Sequence, residues 1–179
     1  VDVLLSALPG AHPLAHNGRV RVYHGTREVI GRVSIAALRQ GAQHVWTAIP
    51  AGARDVSVPP GWQAFVRLRF EASAVLTRGD RVVVRSYSPL STIAGGVVLD
   101  PLPRPVGVRR PDSLRRFERL LAEGDAVDVW IDEGSWRGVP LASIAGRSGL
   151  TASAAQRAAE TLTGAVSGAL RVREACAAR

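Results

Sequence analysis

Arginine side chains carry the clearest chemical signal in this sequence. All 23 basic residues are arginine, and the formal net charge at pH 7 is +8. Residues 1–106 hold 12 arginines against 6 acidic residues, whereas residues 107–179 hold 11 against 9. Guanidinium groups bind phosphate, so the excess in the first part of the chain is typical of a surface that meets a nucleic acid. A GC-rich genome would also raise arginine, alanine, glycine and proline together, and that explanation stays open.

The region that presents these arginines best is a predicted β-hairpin. Charged and apolar side chains alternate over Arg81–Arg85, which predicts a half-buried strand. Leu90–Leu99 predicts the returning strand, and the paired glycines Gly95-Gly96 inside it indicate a bulge or a close backbone approach. We expect the tip of this hairpin to present Tyr87, Ser88 and the flanking arginines to solvent.

The remainder of the first part is predicted to form further short strands. Their ranges are Val1–Leu8, Arg19–Tyr23, Val29–Leu38, Val45–Ile49 and Gln63–Phe70, the last continued by Ala72–Leu76. Alternation in the last of them places Ala64, Val66, Leu68 and Phe70 inward and Phe65, Arg67 and Arg69 outward. Short antiparallel strands in this number favour a small closed β-barrel, since closure removes exposed strand edges.

The pattern becomes helical after a proline-rich stretch. We expect a mainly β domain over residues 1–105, a linker over 106–111 and an α-helical domain over 112–179. Asp112 or Ser113 can cap the first helix of that second domain. The predicted fold class is therefore mainly β plus α, a small antiparallel β-barrel followed by a winged-helix (helix-turn-helix) domain.

The winged-helix prediction depends on the last 40 or so residues. Leu141–Leu162 contains two helical segments around Gly149, which can adopt the positive φ of a helix-turn-helix turn, and Ala165–Val172 would form the wing. An alanine-rich helical hairpin packed only for structural reasons explains the pattern almost as well. Val127–Ile131 fits a strand or a helix, and we expect Asp132-Glu133 in a solvated loop.

Catalytic signatures are missing from the sequence. A GxxxxGK[ST] phosphate loop is impossible without lysine, and GxGxxG, GxSxG and HExxH are absent. The single cysteine, Cys176, is expected to be an incidental thiol, and His12 and His16 are poorly placed for a metal because a proline between them disfavours a helix. No apolar run is long enough to span a membrane. We expect a non-catalytic chain without a metal site, and its non-methionine start predicts a fragment of a longer protein.

Several short motifs together resemble a known protein family. They are His24-Gly25-Thr26-Arg27-Glu28-Val29, Gly31-Arg32-Val33, Gly79-Asp80-Arg81, Val84-Arg85, Ser88-Pro89, Thr92-Ile93, Gly95-Gly96 and Val98-Leu99-Asp100. Their combination is similar to the third domain of SelB-type selenocysteine-specific translation elongation factors, and in that family a winged helix comes next. The resemblance implies that GTP and Mg²⁺ belong to a separate GTPase domain, with no cofactor in this chain. It also implies a cytoplasmic protein that reaches the ribosome and the selenocysteine-insertion mRNA hairpin through its full length.

The barrel also resembles, more distantly, the third domain of elongation factor Tu, which supports the T stem of aminoacyl-tRNA. This resemblance implies contacts with the acceptor and T stems of selenocysteinyl-tRNA from His24, Thr26, Arg27, Glu28, Arg85, Tyr87 and Ser88. Alternatively, Glu28 pairs with Arg27 or Arg32 across its hairpin, and Arg85 only solubilises a strand.

Two other classes of function stay open at this point. In a DNA-binding regulator, the winged helix would read a major groove with Gln156 and Arg157, while the barrel dimerises or senses a ligand. In a purely structural interaction module, genome composition alone would explain the arginines.

Overall fold

The computed structural model describes residues 1–41, 44–122, 126–134, 137–162, 165–167 and 170–172. The chain divides into two compact units, Val1–Phe117 and Glu118–Arg179, and the boundary falls inside the first helix, α1 (Ser113–Leu121). Strands make up the first unit up to this helix, and helices dominate the second. The predicted change from β to α along the chain is therefore confirmed.

The first unit is a closed barrel of six antiparallel strands, as the sequence predicts. Its strands, with three short additional ones, are β1 (Asp2–Ala7), β2 (Leu14–Ala15), β3 (Arg19–His24), β4 (Arg27–Gln40), β5 (Thr47–Ala48), β6 (Ser57–Val58), β7 (Trp62–Phe70), β8 (Arg81–Ser86) and β9 (Thr92–Asp100). The order around the barrel is β3-β8-β9-β1-β7-β4, and pairing of β4 with β3 closes it. The short strand β5 pairs with β4, and β2 pairs with β6.

Alternation along β7 divides its side chains as predicted. Ala64, Val66, Leu68 and Phe70 lie in or against the apolar core, while Arg67 and Arg69 do not. Phe65 points away from that core but is fully buried. Its ring centroid lies 3.8 Å from that of Trp46 and 5.1 Å from that of Phe117, so a second aromatic layer covers this part of the barrel.

The two adjacent glycines of β9 differ in their surroundings. Gly95 and Gly96 pair regularly with both neighbouring strands, so there is no bulge at this point. A Cβ added to Gly96 would lie 2.5 Å from Leu5 Cδ2 and 2.9 Å from the Leu4 carbonyl oxygen, whereas one added to Gly95 would meet nothing within 4 Å. The close backbone approach that the sequence suggests is therefore present at Gly96.

Two of the predicted strand ranges are wrong. In place of a strand over Val45–Ile49, only the short β5 forms, because Trp46 turns onto the outer face of β7. Ala72–Leu76 is not a strand, since the chain leaves the sheet after β7 and Leu76 joins the core of the barrel.

Two fully buried carboxylates, Asp2 on β1 and Asp100 on β9, form an ion cluster. Arg67 binds both oxygens of Asp2, at 2.6 Å from Nε and 2.9 Å from Nη2. Arg116 of α1 donates to Asp2 at 2.6 Å and to Asp100 at 2.5 Å. These contacts attach the N-terminal part of α1 to the barrel.

The segment between β9 and α1 also contacts the barrel. The carbonyls of Arg104 and Val106 accept hydrogen bonds from Arg67 Nη1 at 2.9 and 2.6 Å. Further along, Arg109 Nε donates to the carbonyl of Ile35 at 3.0 Å. The predicted domain limits on either side of this segment stay a prediction.

The second unit combines helices with a small sheet. After α1 its elements are α2 (Ala126–Gly134), β10 (Val139–Pro140), α3 (Leu141–Ser148), α4 (Ala152–Leu162), β11 (Ala165–Ser167) and β12 (Leu170–Val172), with the sheet order β10-β12-β11. Gly149 ends α3 with a φ of 70°, and its N–H donates to the carbonyl of Ala145 at 3.0 Å. The two predicted helices and the hairpin after them are present, and the assignment as a winged helix stays a prediction.

The predicted loop at Asp132-Glu133 is wrong, because both residues lie in α2. The apolar run Val127–Ile131 is the part of α2 that is mostly buried, with Trp130 fully enclosed. Arg119 of α1 forms ion pairs with Asp128 and, at 2.9 Å, with Asp132, so acidic residues stabilise this helix on its polar side. None of the described helices has the length and apolar composition that crossing a membrane requires.

Candidate nucleic-acid interface

The first group of predicted tRNA-binding residues lies at the hairpin that joins β3 and β4. His24 pairs with Arg27 across the turn Gly25-Thr26, whose glycine takes a φ of 56° and whose threonine is exposed. Arg27 Nη2 donates to the carbonyl of Ser73 at 2.6 Å, and His24 Nε2 lies 3.4 Å from the carboxylate of Asp80. The hairpin therefore has a fixed conformation and an accessible tip.

The second group lies at the other end of β3. Because β3 and β8 are antiparallel and Val20 pairs with Ser86, the exposed tip Tyr87-Ser88 emerges beside Arg19. The length of β3 separates this tip from His24 by roughly 17 Å. Between the two groups, Glu28 and Arg85 lie on one outer face of the barrel, paired with Tyr23 and Arg21 of β3. His24 and Arg27 instead line a pocket together with the buried Val22 and Val29. The structure therefore brings only part of the predicted residues onto one surface.

The middle of this face is a network around Glu28. Arg21 Nη1 donates to the Glu28 carboxylate at 2.5 Å, and the hydroxyl of Tyr23 donates to its other oxygen. The bond from Tyr23, followed by that from Arg21, lowers the pKa of Glu28, and the same Tyr23 bond raises the pKa of the tyrosine. Arg85 lies with its guanidinium carbon 5.9 Å from the centroid of the Tyr23 ring. Glu28 thus pairs with Arg21 and not with Arg27 or Arg32.

Two arginines that the sequence did not single out complete the face. The guanidinium carbons of Arg19 and Arg21 lie 4.5 and 5.1 Å from the centroid of the Tyr87 ring. Arg19 also binds Glu71, at 3.0 Å from Nε and 2.6 Å from Nη2, which raises the pKa of Arg19. Alternation predicts that both arginines point outward, but only the β3–β8 register brings them to Tyr87.

We call the surface formed by these side chains the arginine face, and its members are Arg19, Arg21, Tyr23, Glu28, Arg85 and Tyr87. Cations held against aromatic rings keep their N–H groups in place without losing charge. Such a surface can bind oxyanions, and it has no nucleophile with a neighbouring base. Among the described residues, no three histidine, cysteine, aspartate or glutamate side chains come together as a metal site.

The residues predicted on the helix-turn-helix lie in the other unit. Gln156 and Arg157 are exposed on α4. Gln156 Nε2 donates to Glu160 of the same helix at 2.8 Å, so this amide is engaged with a neighbour one turn away.

Comparison with known proteins gives three findings. Residues 1–105 match the family model of the selenocysteine-specific elongation factor, beta-barrel domain. The selenocysteine-specific elongation factor of Desulfomicrobium baculatum is 31% identical over 151 residues, which cover 84% of this chain and 20% of that protein. The crystal structure of the bacterial selenocysteine-specific elongation factor EF-Sec superposes with a TM-score of 0.57 and 16% identity, covering 97% of this chain and 24% of that one. The last likeness concerns the fold, and the chain spans at most a quarter of either relative.

Proposed function

The chain belongs to the selenocysteine-specific elongation factors, and from that membership we propose that its barrel binds selenocysteinyl-tRNA through the arginine face. The acceptor and T stems are the expected contacts. In the full-length protein this binding would serve delivery of the tRNA to the ribosome at a recoded UGA codon, in the cytoplasm. The selenocysteine-insertion mRNA hairpin would be bound elsewhere in that protein. The role of this chain is binding, and it makes or breaks no covalent bond.

The observation that carries the proposal is the fixed row of guanidinium groups on β3 and β8. Arg21 and Arg85 are directly paired across these strands, and Arg19 lies two residues before Arg21 on β3. Duplex RNA is recognised mainly by its shape and by the positions of its phosphates. A row of cations on a closed barrel fits this target, because side chains that are already ordered lose little conformational freedom on binding.

Glu71 and Glu28, the two acidic residues beside the row, occupy only some of the N–H groups of Arg19 and Arg21. A guanidinium carries five N–H groups. Arg19 uses Nε and Nη2 for Glu71, and Arg21 uses Nη1 for Glu28. The remaining Nη groups, Arg19 Nη1 and Arg21 Nη2, can donate to phosphate oxygens while the carboxylates keep the guanidinium planes oriented.

Binding of a labelled selenocysteine tRNA transcript, followed by fluorescence anisotropy, tests the proposal. We expect the double variant Arg21→Gln/Arg85→Gln to weaken binding by about tenfold or more, since charge-assisted hydrogen bonds to two phosphates are lost. The control is Arg110→Gln/Arg115→Gln, which removes the same charge from two exposed arginines. Equal losses in the two double variants would contradict a specific role of the arginine face.

Phosphate-ethylation interference on the same transcript gives the location of the contact. We expect ethylated phosphates to interfere in the acceptor and T stems, and interference confined to the anticodon arm would contradict the proposed orientation.

In this proposal the second unit is a spacer, so Gln156→Ala/Arg157→Ala should bind tRNA as the wild type does. A preference for one duplex DNA sequence over tRNA at equal salt would instead favour a DNA-binding regulator.

A further inference from the structure

A second polar surface of the barrel is an open groove beside the turn between β2 and β3. Its lining consists of Ala15, His16, Asn17, Ala53, Arg54, Asp55, Val56, Ser57 and Arg109. The groove lies at the Arg19 end of β3, away from the β3–β4 hairpin. Nothing in the proposed tRNA contact uses these residues.

The backbone of Ile35 holds the two central side chains of the groove. On this edge of β4, pairing with β3 ends at Arg32 and pairing with β5 begins at Ala37, so Ile35 has no strand partner there. Its N–H donates to His16 Nδ1 at 3.0 Å, and its carbonyl accepts from Arg109 Nε at 3.0 Å. Two side chains thus replace a missing strand, and the backbone of one residue brings them together.

The hydrogen bond from Ile35 also defines the state of His16. Because Nδ1 accepts, the ring hydrogen of the neutral form is on Nε2, which can donate. Burial, followed by the charges of Arg109 and Arg69, lowers the pKa of His16. At neutral pH this histidine is therefore an uncharged N–H donor in a positive field.

Arg109 has a charge that carbonyl oxygens alone do not balance. Its Nη1 donates to the carbonyl of Ala53 at 2.9 Å, and its Nη2 is buried without a hydrogen-bond partner. No acidic side chain among the described residues forms an ion pair with it. A buried N–H without an acceptor is costly, and burial indeed lowers the pKa of Arg109.

Further cations surround the groove. Arg69 Nη2 donates to the side-chain oxygen of Asn17 at 2.7 Å, and Arg32 Nη1 donates to its carbonyl at 3.2 Å. Arg54 is exposed in the lining, and the acidic lining residue, Asp55, is exposed next to it. The positive charges of the groove and its rim thus outnumber the single carboxylate of its lining.

We propose that this groove binds a phosphate group, with His16 Nε2 and the guanidinium groups of Arg109 and Arg54 as its donors. An oxyanion in the groove would balance the charge of Arg109, which lines it, and would offset the field around His16. The group can belong to a mononucleotide or to the backbone of a nucleic acid, and both present the same oxygens. Donors that approach from the segment between β9 and α1, from the loop before β6 and from the β2–β3 turn suit a tetrahedral ligand better than a planar one.

The first test follows the His16 side chain of the 179-residue chain by two-dimensional ¹H–¹⁵N NMR at constant ionic strength. We expect saturable shifts of its ring nitrogens on adding inorganic phosphate, and a higher pKa of His16 in the bound form. Arg54→Ala should weaken phosphate binding about tenfold, because one charge-assisted donor is lost. The control Arg115→Ala removes an exposed arginine from α1 and should leave the affinity unchanged.

Two further ligands distinguish a mononucleotide phosphate from a backbone phosphate. They are uridine monophosphate and a short RNA duplex with 5′-hydroxyl ends. If the His16 signals shift at a lower concentration of the duplex than of inorganic phosphate, the groove binds a backbone phosphate. If they shift with the monophosphate and not with the duplex, the groove binds a terminal phosphate. Either result supports the groove as a phosphate site. The absence of a saturable His16 shift with all three ligands would overturn it, as would equal weakening by Arg54→Ala and Arg115→Ala.

Discussion

The adjacent glycines of β9 permit a stability experiment with an internal control. Gly96→Ala would place a methyl group 2.5 Å from Leu5 Cδ2, 2.8 Å from Val3 Cγ1 and 2.9 Å from the Leu4 carbonyl oxygen. The carbonyl belongs to the paired backbone of β1 and cannot move without distorting the sheet. Gly95→Ala adds the same methyl group one residue earlier, where nothing lies within 4 Å.

The difference between the two variants isolates the effect of overpacking. Replacing glycine by alanine in a strand gains roughly 0.5–1 kcal/mol by restricting the unfolded chain. That gain is common to both variants, so it cancels when they are compared. Overpacking of a filled core costs about 1–3 kcal/mol. We therefore expect Gly96→Ala to be less stable than Gly95→Ala by about 1–3 kcal/mol, and Gly95→Ala to be at least as stable as the wild type.

Urea denaturation followed by the methyl NMR signals of Val3 and Leu5 measures this difference in the barrel alone. These side chains are fully buried in its core, so their signals report the unfolding of the barrel. Equal stability of the two variants would refute the close approach of β1 to Gly96. Loss of stability in Gly95→Ala would refute the open environment assigned to that residue.

Three further perturbations have defined outcomes. Arg116→Ala removes the cation that joins Asp2 and Asp100, both 0% exposed, and should destabilise the barrel unit by about 3–5 kcal/mol in urea denaturation, whereas Arg115→Ala should change it little. Because the pKa of His16 is lowered from 6.5 in the folded state, stability that is present above pH 6.5 is lost as the pH falls towards the folded pKa. His16→Asn keeps an acceptor for Ile35 and does not titrate, so its stability should depend less on pH between 7 and 5 in the same assay, and parallel pH profiles would contradict the lowered pKa. Tyr87→Leu removes the ring beside Arg19 and Arg21 and should weaken tRNA binding about threefold to tenfold in the anisotropy assay, while Leu90→Ala, at an exposed position of the same connection, should not.

The strands of the barrel could be predicted because the alternation of apolar and polar residues is a local property of the sequence. The two-residue period of Gln63–Phe70 assigns each side chain to one face of a strand, and several short strands joined by turns indicate closure. The same period contains no information on which residue of a neighbouring strand lies opposite. The contact of Tyr87 with Arg19 depends on that register, so the arginine face could be predicted only in part.

Long-range contacts explain the other differences between the predictions and the structure. Phe65 points outward as predicted, but Trp46 and Phe117 cover it from distant parts of the chain, which the local pattern does not show. Asp132 was predicted in a loop, since adjacent carboxylates are usually solvated, yet Arg119 provides the ion pair that suits it to a helix. The groove around His16 depends on a gap in strand pairing, which leaves no signal in composition or periodicity.

The salt dependence of tRNA binding tests the role of the arginine face most directly. The logarithm of the association constant falls with the logarithm of salt concentration by about 0.7–0.9 for each phosphate that the protein neutralises. We predict that Arg21→Gln/Arg85→Gln lowers this slope by about 1.4–1.8 relative to wild type, while Arg110→Gln/Arg115→Gln leaves it unchanged. An unchanged slope in the first variant would show that these guanidinium groups do not contact tRNA phosphates.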